Sequence, residues 1–101
     1  MIQLNGNDNV AVAIEDCSSN VEVTVKAPAP RAGFSIVPIS NIPFGHKIAL
    51  SDLKPGDIIV KYGRPIGRAT KAIPKGELVG VHNIEGLRGR GDLETSRRQA
   101  K

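Results

Sequence analysis

The chain has 101 residues, the length of one small domain, so it has no room for the several cores of a multi-domain enzyme. Hydrophobic residues at 40% and charged residues at 24% describe a globular composition, whereas aromatics at 3% (Phe34, Phe44 and Tyr62) leave an aliphatic core and no stacking platform for single-stranded nucleic acid. Of the net charge of +4, +3 falls from Arg88 onward and only +1 before it, so the pI of 9.6 reports a basic tail and speaks against a nucleic-acid-binding face.

The N-terminal residues up to Asp8 carry neither a basic region nor a continuous apolar run, and no apolar stretch approaches the ~20 residues of a membrane helix. The expectation is a cytoplasmic protein without a membrane segment. After the turn-forming cluster Asn5-Gly6-Asn7-Asp8-Asn9 comes a β-branched run, Val10-Ala11-Val12-Ala13-Ile14, which reads as a strand. Residues 15–20 read as a loop. This loop holds Cys17, the one cysteine of the chain, which excludes an intrachain disulfide and a cysteine-based zinc site. Val21-Glu22-Val23-Thr24-Val25 alternates with period two and is expected to place its valines on one buried face. Residues 27–33, with Pro28 and Pro30, are extended or flexible, because each proline removes a ladder donor. Residues 34–37 and 46–50 are further strands. No window sustains helical periodicity, so any helix is at most one or two turns long.

The second half contains a repeat at a shift of 20 residues, in which residues 49–60 lie on residues 69–80. The shared grammar is an alanine (Ala49, Ala69), an aliphatic residue (Leu53, Ile73), a proline and lysine in either order, a glycine (Gly56, Gly76), an acid (Asp57, Glu77) and a short apolar strand. Each copy reads as a tight turn, with proline fixing φ and glycine tolerating φ > 0. Two copies are too few for a solenoid, so a pseudo-symmetric β-domain is expected.

Three phrases carry a family resemblance. Ile42-Pro43-Phe44-Gly45-His46-Lys47-Ile48-Ala49-Leu50, Lys61-Tyr62-Gly63-Arg64-Pro65-Ile66-Gly67-Arg68-Ala69 and Val81-His82-Asn83-Ile84-Glu85-Gly86-Leu87-Arg88-Gly89-Arg90-Gly91-Asp92 resemble the SAF domain of altronate and galactarate dehydratases. That family includes the small subunit of sulfolactate sulfo-lyase. Asp8-Asn9-Val10-Ala11 is similar to the family's usual opening, whereas the proline-rich residues 27–38 and the small Gly80 before Val81-His82 depart from its pattern. The resemblance implies a mainly-β, single β-clip domain over residues 1–93 with a flexible basic tail at 94–101. It also implies a part in a lyase that removes water, or sulfite, from a hydroxy-acid. In such chemistry a base takes the proton α to a carboxylate, and a divalent metal, iron in this family, polarises the substrate. The resemblance places that metal mainly on a large catalytic subunit, since this chain shows no metal-ligand cluster in its sequence.

Within this chain His46 and His82 are the candidates for proton transfer or ligation, because histidine is the side chain whose unperturbed pKa lies nearest neutrality. The alternative is a pair of strand-end histidines bonded to backbone. Lys61 could meet a substrate carboxylate as a point charge and Tyr62 could donate a hydrogen bond; the alternative is an exposed lysine beside a half-buried tyrosine. Arg88 and Arg90, within a glycine-rich segment, could clasp an anionic substrate or the acidic surface of a large subunit. The expected function is that of a co-catalytic small subunit which completes or covers the active site of a large metal-dependent dehydratase. Its rivals are the sulfolactate sulfo-lyase small subunit, and a free-standing carbohydrate- or anion-binding module without catalysis.

Overall fold

In the computed structural model residues 1–87 are described, and every named element among them is a strand. The strands are β1 (Val10–Val12), β2 (Val23–Lys26), β3 (Gly33–Ile36), β4 (Lys47–Ala49), β5 (Ile58–Lys61), β6 (Arg64–Ala69), β7 (Leu78–Val79) and β8 (Ile84–Gly86). They form three small antiparallel sheets, ordered β1-β4-β7, β2-β3 and β5-β6-β8. No helix among the described residues is long and apolar enough to cross a membrane. The mainly-β expectation is met and the strand positions agree closely. Val21 is the exception: it lies outside β2 and is 55% exposed, so the buried valine face begins with half-buried Val23 and reaches the core at Val25.

The β1-β4-β7 sheet separates two aliphatic cores by simple alternation. Ala11 and Ile48, which are partners across β1 and β4, face one core with Val25, Ile36 and Ile42. Val10 and its partner Ala49, together with Val79, face the other core with Leu53, Ile59 and Ile73. Period-two side-chain direction makes this division obligatory once the register is set. Four fully buried isoleucines, Ile42, Ile48, Ile59 and Ile73, anchor the two cores, each contributing about 1.5–3 kcal/mol of burial free energy.

The 20-residue repeat is a structural repeat as well. Leu53 and Ile73 exchange both backbone hydrogen bonds, at 2.8 and 2.9 Å, on the pseudo-symmetry axis. Each copy's turn then grips the alanine of the other copy: Gly56 N donates to the Ala69 carbonyl and Ala69 N to Asp57, while Gly76 N donates to Ala49 and Ala49 N to Glu77. The structure adds a third copy, which a fixed 20-residue shift does not find. Ile42-Pro43-Phe44-Gly45-His46 makes the same turn, Gly45 N donating to the Ala13 carbonyl and Ala13 N to His46, while Cys17 and Ile42 exchange backbone bonds as Leu53 and Ile73 do. The third glycine shares the conformation, with φ of +84° at Gly45 against +92° at Gly56 and +91° at Gly76. Each turn closes with the residue after glycine donating to the carbonyl three positions back, the pattern of a type II turn. In two copies an aspartate of the facing segment also accepts from the residue before the turn glycine, Asp16 from Phe44 N and Asp52 from Lys75 N, both at 2.8 Å. The remaining copy has Pro55 there, without an N–H, and Ala72 stands in the aspartate's place.

Space around these glycines differs although their φ does not. A Cβ on Gly56 would meet nothing within 4 Å, whereas one on Gly76 would lie 2.7 Å from the Val37 carbonyl oxygen. Both alanine variants bear the left-handed strain, and Gly76→Ala also has to move backbone. Urea denaturation is expected to place Gly76→Ala about 2 kcal/mol below Gly56→Ala in stability; equal losses would contradict the close approach of the Val37 carbonyl to Gly76.

Candidate functional site

The third turn sets the position of His46. In the repeat it occupies the place of Asp57 and Glu77, directly after the turn glycine, and its backbone is held at both ends by Pro43 and Ala13. Its side chain is exposed, with Nδ1 at 3.4 Å from the Phe44 carbonyl oxygen, a long contact. His46 immediately precedes the paired position Lys47↔Val79, and Gly80 immediately follows it, so both leave the same end of the β1-β4-β7 sheet. His82 sits in the tight turn after β7, where Asn83 N and Ile84 N both donate to the Gly80 carbonyl at 3.0 Å. Buried Asn83 locks that turn, accepting from Gly80 N and donating to the Leu78 carbonyl, each at 2.9 Å. The His82 ring folds back toward Gly80: a Cβ built there would be 3.4 Å from His82 Nδ1. An alanine Cβ at 80 would meet the imidazole at ordinary van der Waals distance. His82 is exposed and makes no side-chain hydrogen bond among the described residues.

Lys61 and Tyr62 lie on the β5–β6 hairpin, whose central residues Tyr62 and Gly63 both have positive φ, 59° and 71°. That is the requirement of a type I′ turn, and it favours asparagine or glycine over tyrosine. The conformation is held from outside by Asp8. Its buried carboxylate accepts from Tyr62 N at 3.0 Å, Gly63 N at 2.8 Å and Asn5 N at 3.1 Å. Asn9 extends the clamp, donating to the Ile58 carbonyl and accepting from Val60 N. The environments of Lys61 and Tyr62 reverse the bland alternative for the pair: Tyr62 is 63% exposed and Lys61 is half-buried, its ammonium 5.6 Å from the Tyr62 ring centre.

The residue between these groups is Lys47, which sequence reasoning passed over because a lysine opening a strand has no distinctive pattern. It is half-buried, and desolvation, with the Lys61 charge second, holds its pKa below the ordinary lysine value. In the chain Lys47 directly follows His46 and opens β4. Two exposed apolar side chains rim the same end, Phe44 beside His46 at 67% and Val81 beside His82 at 99%. Arg88 and Arg90, and the expected tail at 94–101, lie outside the described residues. Two surface concavities lie elsewhere, one including Met1, Val23 and Lys26 and the other Asp16, Asn41 and Pro43; neither is lined by His46, His82, Lys47 or Lys61. Among the described residues no three His, Cys, Asp or Glu side chains gather as a metal site.

The interlocked turns and the small sheets define a β-module whose polar side chains collect at one sheet end. The family model for the altronate/galactarate dehydratase SAF domain matches residues 1–87, and the chain belongs to this family. Altronate dehydratase of Bacillus subtilis is 40% identical over 84 residues, covering 83% of this chain and 16% of that protein. Galactarate dehydratase (L-threo-forming) of Escherichia coli is 35% identical over 78 residues, covering 77% of this chain and 14% of that protein. The (2R)-sulfolactate sulfo-lyase subunit alpha of Chromohalobacter salexigens is 46% identical over 44 residues, 44% of this chain and 47% of that subunit. The matched region thus spans about a sixth of the altronate dehydratase.

Proposed function

We propose that this chain is the SAF-domain component of a metal-dependent sugar-acid dehydratase and that it completes or covers the active site of a separate large catalytic subunit. The observation that supports it most is membership of the dehydratase SAF family over residues 1–87. The site geometry agrees with that role: His46, Lys47 and His82 stand at one end of the β1-β4-β7 sheet, exposed or half-buried, with Phe44 and Val81 as an apolar rim for docking. In the elimination, a base removes the proton α to a carboxylate, the β-hydroxyl accepts a proton and leaves as water, and the resulting enol becomes a keto-acid. His46 and His82 are proposed to hold or deliver protons in that exchange, and Tyr62 to donate a hydrogen bond to substrate. Arg88 and Arg90 are assigned to the docking segment. Iron or another divalent metal, on the large subunit, supplies Lewis acidity.

A second reading draws on the sulfo-lyase relatives, of which the match covers 82% of subunit alpha from Paracoccus pantotrophus. It differs in the leaving group, sulfite in place of water. A pull-down from the native host with this chain as bait, followed by assays of the eluate with altronate, galactarate and sulfolactate plus ferrous iron, tests both. Recovery of a large partner active on one acid is expected, and that acid names the leaving group. Folded bait that recovers neither partner nor activity overturns the lyase reading in favour of a binding module.

A further inference from the structure

Residues 5–8 make a β-turn, Asp8 N donating to the Asn5 carbonyl at 3.0 Å, with Gly6 and Asn7 exposed at its corner. Asn5-Gly6 is the one asparagine-glycine step in the chain. The Asn5 side chain accepts from Asn7 N through Oδ1 at 2.9 Å, which folds its Cγ back over the Gly6 peptide and draws electron density from that carbon. Among the described residues neither Gly6 N nor Asn5 Nδ2 donates a hydrogen bond, so a nucleophile and a leaving group are both unengaged. A Cβ at Gly6 would meet nothing within 4 Å, and glycine itself has none to obstruct its nitrogen. The other asparagines differ. Asn9, Asn20, Asn41 and Asn83 precede valine or isoleucine, whose branched Cβ crowds that nitrogen, and Asn7 precedes Asp8, whose N–H is held in the turn.

The same asparagine is part of the hairpin clamp. Its N donates to Asp8 Oδ2 at 3.1 Å, beside the bond from Tyr62 N, and a Cβ at Gly63 would fall 2.9 Å from Asn5 Nδ2. We propose that Asn5-Gly6 is a spontaneous deamidation site, and that its conversion loosens the β5–β6 hairpin carrying Lys61 and Tyr62. Gly6 N attacks Asn5 Cγ. The new N–Cγ bond closes a succinimide ring, the Cγ–Nδ2 bond breaks, and the proton from Gly6 N leaves with the amide as ammonia. Water then opens the imide, at Cγ to give aspartate or at the main-chain carbonyl to give isoaspartate. Either product sets a second carboxylate near that of Asp8, and like charges at such a separation repel. Isoaspartate also routes the main chain through Cβ and Cγ, one methylene longer, which displaces the turn that brings Asp8 to the hairpin. Tyr62, held at a positive φ by the Asp8 carboxylate, is then free to relax. Neither the site nor its effect depends on the lyase reading.

The test is timed incubation of the full 101-residue chain in mildly alkaline buffer, read by ammonia release, peptide mass spectrometry and enzymatic methylation of isoaspartate, and followed by amide hydrogen exchange. Isoaspartate is expected at position 5 with the other asparagines intact. Exchange at Tyr62 and Gly63 is expected to outpace that of the fresh chain, while Ile48 stays unchanged. Gly6→Ala is expected to keep the parent Tm, since its Cβ enters open space at a φ that is not positive, and to lose most of the ammonia release. Asn5→Asp, measured fresh, is expected to raise exchange at the same two amides without incubation. Isoaspartate absent from position 5, or formed as fast in Gly6→Ala, overturns the site. Isoaspartate at position 5 with exchange at Tyr62 and Gly63 unchanged overturns the coupling to the hairpin.

Discussion

Asp8→Ala is expected to cost about 3 kcal/mol of stability, because it removes a buried carboxylate that accepts three backbone N–H groups. Hydrogen bonds to a charged acceptor contribute about 1.5–3 kcal/mol each and are not additive, so a figure well below their sum is appropriate. The clamp also holds Tyr62 at a φ of 59°, a conformation that costs a non-glycine residue about 1–2 kcal/mol. Losing it frees the hairpin to relax away from β1, so amide exchange at Tyr62 and Gly63 should accelerate more than at Ile48 in the central strand. A drop in Tm of more than about 10 °C follows for a domain of this size. Asp8→Asn is the informative companion. Its amide oxygen can replace Oδ2, which serves Asn5 and Tyr62, but its NH2 then faces the Gly63 N–H, so about half of the loss is expected. A loss below about 1 kcal/mol for Asp8→Ala would show that the hairpin holds itself.

Asp8 also shows where sequence reading stops. The cluster from Asn5 to Asn9 is legible as a turn, and Asp8-Asn9 as part of a family phrase, yet nothing local says that the carboxylate reaches a hairpin 54 residues away. The repeat was legible because its two copies keep a constant shift and like-for-like chemistry, with Asp57 matching Glu77. The third copy was not: its acid is replaced by His46, and the segment it grips, Ala13 to Cys17, lies before β2 rather than beside its own turn. Only the exchanged backbone bonds expose it. His46 and His82 were readable as candidates from residue type, whereas their common end of one sheet follows from the β4–β7 register, which is a long-range pairing. Lys47 was invisible for the opposite reason. Its local pattern is ordinary, and its significance is the neighbour it acquires from β5 on folding.

On the proposed dehydratase reading, replacing His82 or His46 by alanine in the complex with its large subunit is expected to lower kcat by about 100-fold each, the smaller end of what proton transfer by a positioned side chain contributes. Folding offers little competing explanation. Both side chains are exposed, His82 makes no side-chain hydrogen bond among the described residues, and the one contact of His46 is the long approach to the Phe44 carbonyl oxygen. Substitutions at such positions change stability by no more than about 0.5 kcal/mol, so melts of the single variants should overlay the parent. A strand-end histidine bonded firmly to backbone would give the reverse pattern, lower stability with activity retained. If the two histidines exchange protons with the same substrate, the double variant loses less than the product of the single losses, because a broken relay cannot be broken twice. Two fully active single variants in the reconstituted complex would remove both residues from the chemistry.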